Sequence, residues 1–140
     1  MKKEIMSEKK IIQSLTIKDL TDPANGIHCI NLVLEKLYHG LASPNWPKPV
    51  IKRSSPITTV ANNFDRLLFP PDNAGRSSTY TRYVAENQVL RTHASAMIPD
   101  ILDELSKKSN VQDYLVICPG ICYRRDVVDK THCGEPHHVD

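Results

Sequence analysis

The clearest hydrophobic period in the chain runs through Ile30, Val33, Leu34, Leu37 and Leu41, spaced three and four apart as on one face of an α-helix. Asp22 before Pro23 supplies a start signal: a carboxylate that can accept backbone N–H bonds, then a residue whose missing donor costs nothing in a first turn. Gly40 can end such a helix in a left-handed conformation. The pattern predicts a core-packing helix from Asp22 to about Gly40, with Asn25 and Gly26 weakening its first turn. A second apolar face, Met97, Ile98, Ile101, Leu102 and Leu105, predicts another helix. It starts either with Ser95 as its cap or at Pro99, since proline suits only the first turn.

The remaining pattern is that of strands and connectors. Pro44, Pro47, Pro49 and Pro56 make Ala42–Pro56 an extended connector, with a short edge strand at Val50-Ile51. The β-branched run Ile57–Val60 predicts a strand, and Phe69–Arg76 a loop. Val89–Thr92 predicts a short strand ending at His93, and the nearly continuous apolar run Asp113–Cys118 a buried one. Pro119-Gly120 reads as a turn into a second strand, Ile121–Val128, forming a hairpin. Asp129–Pro136 is a polar loop, and His137 begins another strand. Together these predict an α+β fold: a mostly antiparallel sheet with helices packed on one face.

Composition narrows the classes. A chain of 140 residues suits one domain with a single core. Eighteen basic against sixteen acidic residues leave a net charge of +2, too small to argue for a nucleic-acid partner by itself. Lys2, Lys3, Lys9 and Lys10 make the start basic, but Glu4 and Glu8 dilute it, so residues 1–20 read as a solvated tail before a domain at 21–140. No stretch approaches the roughly 18 apolar residues needed to cross a bilayer. MKKEIMSEKKIIQ has no apolar segment or cleavage site, so it is not a secretory signal and the chain is expected in the cytoplasm. Cys29, Cys118, Cys122 and Cys133 are then free thiols or metal ligands. A zinc site from Cys118, Cys122, His132, Cys133, His137 and His138 is one alternative, although the spacing fits no common zinc ribbon or finger.

Side chains two apart on a strand share a face, which pairs Arg124 with Asp126, His93 with Ser95, and His138 with Asp140. Brought onto one sheet face, these make a polar floor in which Arg124 can grip a phosphate by forked bonds and Asp140 can hold an ammonium. On spacing alone, Arg124 and Asp126 are more often a cross-strand ion pair than a functional pair. Neither the phosphate-binding Gly-x4-Gly-Lys-Ser/Thr loop nor the dinucleotide Gly-x-Gly-x-x-Gly is present, so any nucleotide must be gripped by strand-borne arginines.

Three ordered blocks carry a family resemblance. ICYRRDVVDKTHCGEPHHVD, from Ile121 to Asp140, resembles motif 2 of class II aminoacyl-tRNA synthetases in the form found in the phenylalanine enzyme. LRTHAS at Leu90–Ser95 is similar to that family's Leu-Arg-Thr-His-Thr-Ser, and Asn63-Phe64-Asp65 through Arg76 resembles its preceding block. The resemblance implies a partial class II synthetase core. It also implies ATP-dependent activation of an amino acid, phenylalanine by this resemblance, with Mg2+, and transfer to tRNA in a longer enzyme. Arg124 would bind the α-phosphate and the substrate carboxylate, Asp126 the adenine end, and His132 the ATP phosphates or the tRNA end. His93, Ser95, His138 and Asp140 would line the amino-acid pocket, Asp140 taking the α-ammonium. His138 and Asp140 stand where the family usually has Gln and Glu, which opens the choice of amino acid. The family's arginine-bearing motif 3 is absent from these 140 residues, so the chain alone is expected to be inactive, with a second copy or a synthetase subunit as partner. A stand-alone paralogue charging another acceptor, or an inactive binding module of the same fold, are the alternatives.

Overall fold

The computed structural model describes residues 3–42, 46–111, 113–125, 129–131 and 136–140. The first departure from expectation comes at the start, where the segment read as a solvated tail is packed. Met6 is 8% exposed, its N–H donates to the Tyr83 carbonyl at 2.8 Å, and helix α1 (Glu8–Leu15) follows. Lysines dominate that stretch, but Met6, Ile11 and Ser14 fall on the side that meets the body, which a count of charges does not reveal.

The helix expected from Asp22 is divided. Asp22 does cap, accepting from the Ala24 N–H at 3.0 Å, but the structure it caps is one 3-10 turn, Pro23–Asn25. Gly26, at φ 107°, then turns the chain out of helix, a conformation that glycine adopts freely. Helix α2 (Cys29–Leu41) restarts with His28 as its cap: the Ile30 N–H donates to His28 Nδ1, and the His28 N–H donates to Asn31 Oδ1 at 2.8 Å. Gly40 lies inside α2 rather than ending it. Nor is the apolar stripe of α2 buried. Leu34 is 5% exposed, whereas Val33, Leu37 and Leu41 are about half exposed. The helical period fixes a face and says nothing of what covers it.

Three small sheets replace the single sheet expected, while the α+β class stands. β1 (Val50–Ile51) runs parallel to β5 (Val116–Ile117). β2 (Ile57–Thr59), β4 (Gln88–Leu90) and β3 (Tyr83–Ala85) form an antiparallel sheet with β4 in the middle. β6 (Pro119–Ile121) is antiparallel to β7 (His137–Val139). Backbone bonds lace these sheets together: Arg91 N–H to the Pro56 carbonyl at 2.9 Å, and Tyr123 N–H to the Arg91 carbonyl at 2.8 Å.

The expected Pro119-Gly120 turn is a strand. The reason lies across the sheet, where the Arg91 guanidinium rests against Gly120 in the space a Cβ would fill. Gly120 is there for close approach and also for its backbone, whose φ of 158° is one that residues with a Cβ rarely adopt. The strand expected through Val128 reaches Arg124 as an isolated bridge to Thr81, and residues 126–128 lie outside the described residues.

A one-turn helix, α3 (Val60–Asn63), capped by Thr59, follows β2. A 3-10 turn, Ala94–Met97, leads into helix α4 (Ile98–Ser106), with Pro99 at its second position. Met97 and Ile101 are buried with Cys118 and Cys122, but Leu102, expected on that face, is 58% exposed. A second cluster joins Met6, Leu90, Ile121 and Tyr123, and a third joins Val60, Phe64, Tyr83 and Val89. The third cluster sits beneath the candidate site.

Candidate functional site

The site is built outward from Asn63, which is fully buried at the end of α3. Its Oδ1 accepts the Thr92 N–H at 3.0 Å and its Nδ2 donates to Thr92 Oγ1 at 2.9 Å. This two-point grip satisfies the backbone just beyond β4 and fixes the direction of the next residue, His93. A buried amide with both ends bonded is rigidifying, since losing either partner leaves a polar atom stranded.

His93 stacks on Phe69, with ring centroids 5.4 Å apart and planes 6° from parallel, and meets Phe64 edge-on at 6.4 Å. Its Nδ1 lies 3.0 Å from Thr92 Oγ1. Its Nε2 is buried without a hydrogen-bond partner among the described residues. Burial lowers its pKa from the ordinary 6.5, with Arg124 and His138 adding to the fall while the Asn63 backbone and Asp140 oppose it. The ring is therefore neutral at pH 7. The same causes place the charges of Arg124, His138 and Asp140 within electrostatic reach of His93.

Phe69 is held by an arginine. Arg76 donates from Nη2 to the Phe69 carbonyl at 2.7 Å and from Nε to the Pro70 carbonyl at 2.9 Å, and it pairs with Asp65 at 2.7 Å. Its guanidinium lies over the Phe64 ring at 4.9 Å. Asp65 is more than half exposed, so the ion pair adds little stability and serves mainly to set the Phe69–Arg76 loop. In the same way Arg66 holds the start of α4 through Asp100 at 3.0 Å, Asp103 at 2.8 Å and the Pro99 carbonyl.

Arg124 reaches the site from the opposite side. Its Nε donates to the Thr92 carbonyl at 2.9 Å, which orients the guanidinium. Among the described residues it has no carboxylate at ion-pair distance, so its charge is available. Between Arg124, His93, Phe64, Phe69, Tyr80 and Thr92 lies a cavity of about 220 Å³. An apolar cavity of about 150 Å³ suffices for benzene, so an aromatic ring with a polar head fits here.

The other expected site residues divide. His138 faces Gly120 in the β6–β7 ladder, and Asp140 continues it by exchanging backbone bonds with Cys118 at 2.8 and 3.4 Å. Ser95 lies inside the 3-10 turn and is not the helix cap: the turn is capped by His93 and α4 by Met97, neither of which makes a side-chain cap bond. Nor does Ser95 line the cavity. Asp126 and His132 lie outside the described residues, as does Cys133. Of the zinc alternative, Cys118 and Cys122 pack among Ala94, Met97 and Ile101, and burial pushes the Cys122 thiol up to about 11. His137 Nε2 accepts the Leu20 N–H at 3.0 Å. No group of three His, Cys, Asp or Glu among the described residues can hold a metal.

Sequence reasoning missed Asn63, Thr92, Phe64 and Phe69 as parts of the site. Asn63-Phe64-Asp65 stood in a matching block, but a buried asparagine that grips a strand end has no local periodicity to announce it.

The sequence model of the family described as tRNA synthetases class II core domain (F) matches residues 14–140. The chain is 32% identical over 114 residues to the mitochondrial phenylalanine–tRNA ligase of Saccharomyces cerevisiae, covering 81% of this chain and 24% of that protein. It is 34% identical over 122 residues to the phenylalanine–tRNA ligase alpha subunit of Mycoplasmoides gallisepticum, covering 87% and 34%. With the alpha subunit of Malacoplasma penetrans it is 29% identical over 140 residues, covering 96% and 39%. The chain thus spans between about a quarter and two-fifths of the length of these relatives.

Proposed function

The chain belongs to the class II tRNA synthetase core family, and from that premise we propose that it supplies the amino-acid- and ATP-binding half of a phenylalanine–tRNA ligase. The observation that carries this reading is the juxtaposition of His93 and Arg124. Among the described residues, a neutral imidazole with an unpartnered Nε2 and a guanidinium with no carboxylate at ion-pair distance face one cavity walled by two phenylalanines.

In the proposed reaction a carboxylate oxygen of the amino acid attacks the α-phosphorus of ATP. The bond from that phosphorus to the bridging oxygen breaks, pyrophosphate leaves, and an acyl-adenylate remains. A ribose hydroxyl of tRNA then attacks the acyl carbon, releasing AMP. No protein nucleophile is needed; the work is positioning and charge stabilisation. Arg124 binds the α-phosphate and the substrate carboxylate as negative charge shifts between them. His93 offers Nε2 to a polar group of the substrate, and Phe64 and Phe69 keep that group out of water. Asp140 takes the α-ammonium and His138 completes the amino-acid pocket, with Ser95 set behind it in the 3-10 turn that follows His93. Asp126 serves the adenine and His132 the phosphates or the tRNA end.

Mg2+ neutralises phosphate charge in such a reaction. With no three-ligand cluster among the described residues, it fits here as an ion carried by ATP phosphates rather than one resident in a protein cage. A subunit partner and tRNA belong to the same proposal, because two of the relatives are named as alpha subunits. So does a cytoplasmic site of action. No described helix is long and apolar enough to cross a membrane.

The test is binding of non-hydrolysable aminoacyl-adenylate analogues to the 140-residue chain by calorimetry. The phenylalanyl analogue should bind with its affinity reduced at least tenfold by Arg124→Ala, an amount consistent with losing a charge-assisted bond of about 1.5–3 kcal/mol. Equal binding of aromatic and aliphatic analogues would point to a different amino acid. No binding of any analogue would sink the assignment.

A further inference from the structure

Arg124 and Arg125 are neighbours on an extended segment, so their side chains leave by opposite faces. Arg124 enters the cavity described above. Arg125 enters a second, larger cleft of about 590 Å³ on the reverse face, between α1 and β3, where it meets Arg82, Lys10, Gln13 and Ser14. The floor of this cleft is cationic and under-paired. Arg82 is half-buried, and its Nε has no partner among the described residues. Its two remaining bonds are long, from Nη1 to Ser14 Oγ at 3.4 Å and from Nη2 to the Arg124 carbonyl at 3.3 Å.

No carboxylate among the described residues lies at ion-pair distance from Arg82 or Lys10. Arg125 has one, Glu4, at 3.5 Å, and that side chain is 69% exposed. Among the described residues these three cations therefore share one carboxylate, with Arg125 also donating to the Ser78 carbonyl at 2.9 Å. Burial, and then the neighbouring Arg125, lowers the pKa of Arg82, so that guanidinium is held in its charged form at a cost. A half-buried cation without a partner is unfavourable, and an anion entering the cleft would remove that cost.

We propose that the cleft between α1 and β3 is a phosphate-binding site, in which Arg82, Arg125 and Lys10 grip one phosphate group and Gln13 and Ser14 add neutral hydrogen bonds. Fork-shaped guanidinium donors match the tetrahedral face of phosphate, and the Arg82 guanidinium, at the cleft, keeps a buried Nε with no partner among the described residues. The site is separate from the His93–Arg124 cavity. Among the described residues it is joined to that cavity by backbone contacts, Arg82 Nη2 to the Arg124 carbonyl at 3.3 Å and the Arg125 N–H to the Tyr80 carbonyl at 3.1 Å. The phosphate comes either from a free phosphorylated small molecule or from the backbone of a nucleic acid.

Two probes separate these sources: inorganic pyrophosphate, and a short oligoribonucleotide lacking terminal phosphates. Each is titrated into the 140-residue chain at constant ionic strength, with the Arg82 side-chain Nε–H and the Ser14 and Thr16 amides followed by NMR. Saturable shifts of these resonances with pyrophosphate identify a free ligand, and with the oligonucleotide alone a nucleic-acid phosphate. In either case Arg82→Gln and Lys10→Glu should each weaken binding by about tenfold, the effect of one lost charge-assisted contact. Lys10 is exposed on α1, so Lys10→Glu keeps the fold and serves if Arg82→Gln does not. The proposal is overturned if neither probe gives saturable shifts at these resonances, or if both variants bind as the wild type does.

Discussion

Replacing Asn63 by alanine tests whether the α3–Thr92 grip sets the site. The side chain removed is fully buried and makes two bonds to Thr92, at 3.0 and 2.9 Å. Without it the Thr92 N–H is stranded in the interior, which costs about 1–3 kcal/mol. A residual hole of roughly 30 Å³ adds about 0.7 kcal/mol at ~24 cal/mol per Å³. The expected loss is therefore about 2–4 kcal/mol, read from urea unfolding followed by circular dichroism at pH 7. A companion variant separates the bonds. Thr92→Val keeps the N–H bond to Asn63 and removes the two Oγ1 contacts, to Asn63 Nδ2 and to His93 Nδ1, leaving the buried backbone N–H satisfied, so it should cost less than Asn63→Ala. The two changes together should cost less than their sum by at least about 0.5 kcal/mol, because they share a contact. A loss below about 1 kcal/mol for Asn63→Ala, or strict additivity in the double variant, would refute the grip.

Three further outcomes follow from the same geometry. Gly120→Ala places a Cβ where the Arg91 guanidinium sits, and Arg91 is anchored to the Ile121 carbonyl at 2.8 Å, so overpacking should cost about 1–3 kcal/mol in the same unfolding assay. The pKa of His93 is lowered in the folded chain, so on acidification through 6.5 the unfolded chain takes up a proton first and stability falls. The drop in urea midpoint between pH 7.5 and about 5.5 should accordingly shrink in His93→Phe, which keeps the stack on Phe69; an unchanged drop contradicts the burial of this ring. Cys118 and Cys122 are buried with thiols raised by burial, whereas Cys29 is exposed. Iodoacetamide at pH 8 should thus label Cys29 and spare the other two until denaturant is added, as peptide mapping by mass spectrometry will report.

Helix α4 and strands β1, β2, β4 and β7 were legible in the sequence because each is a local pattern of apolar period and turn residues. What was illegible depended on distant partners. Gly120 reads as a turn residue until Arg91 is seen lying on it. Residues 3–15 read as solvated until Met6 is seen bonding to Tyr83. β3 was missed because Tyr83–Ala85 is only three residues between the polar flanks Arg82 and Glu86, and it is held by pairing with β4 rather than by a long hydrophobic run. The site divides in the same way. His93 and Arg124 could be found as chemical groups at matching spacing. Asn63 and Phe69, which aim and cover His93, could not, because hydrogen-bonding and stacking partners that far along the chain leave no trace in a local window.

The central claim is that Arg124 and the His93 pocket activate an amino acid. ATP–pyrophosphate exchange, run with each amino acid on the longest protein that the reading frame encodes, tests it most directly. Exchange driven by phenylalanine, and lost by at least about a hundredfold in Arg124→Ala, is the predicted result for removing a group that stabilises transition-state charge. Exchange with no amino acid, or exchange indifferent to Arg124→Ala, would contradict it.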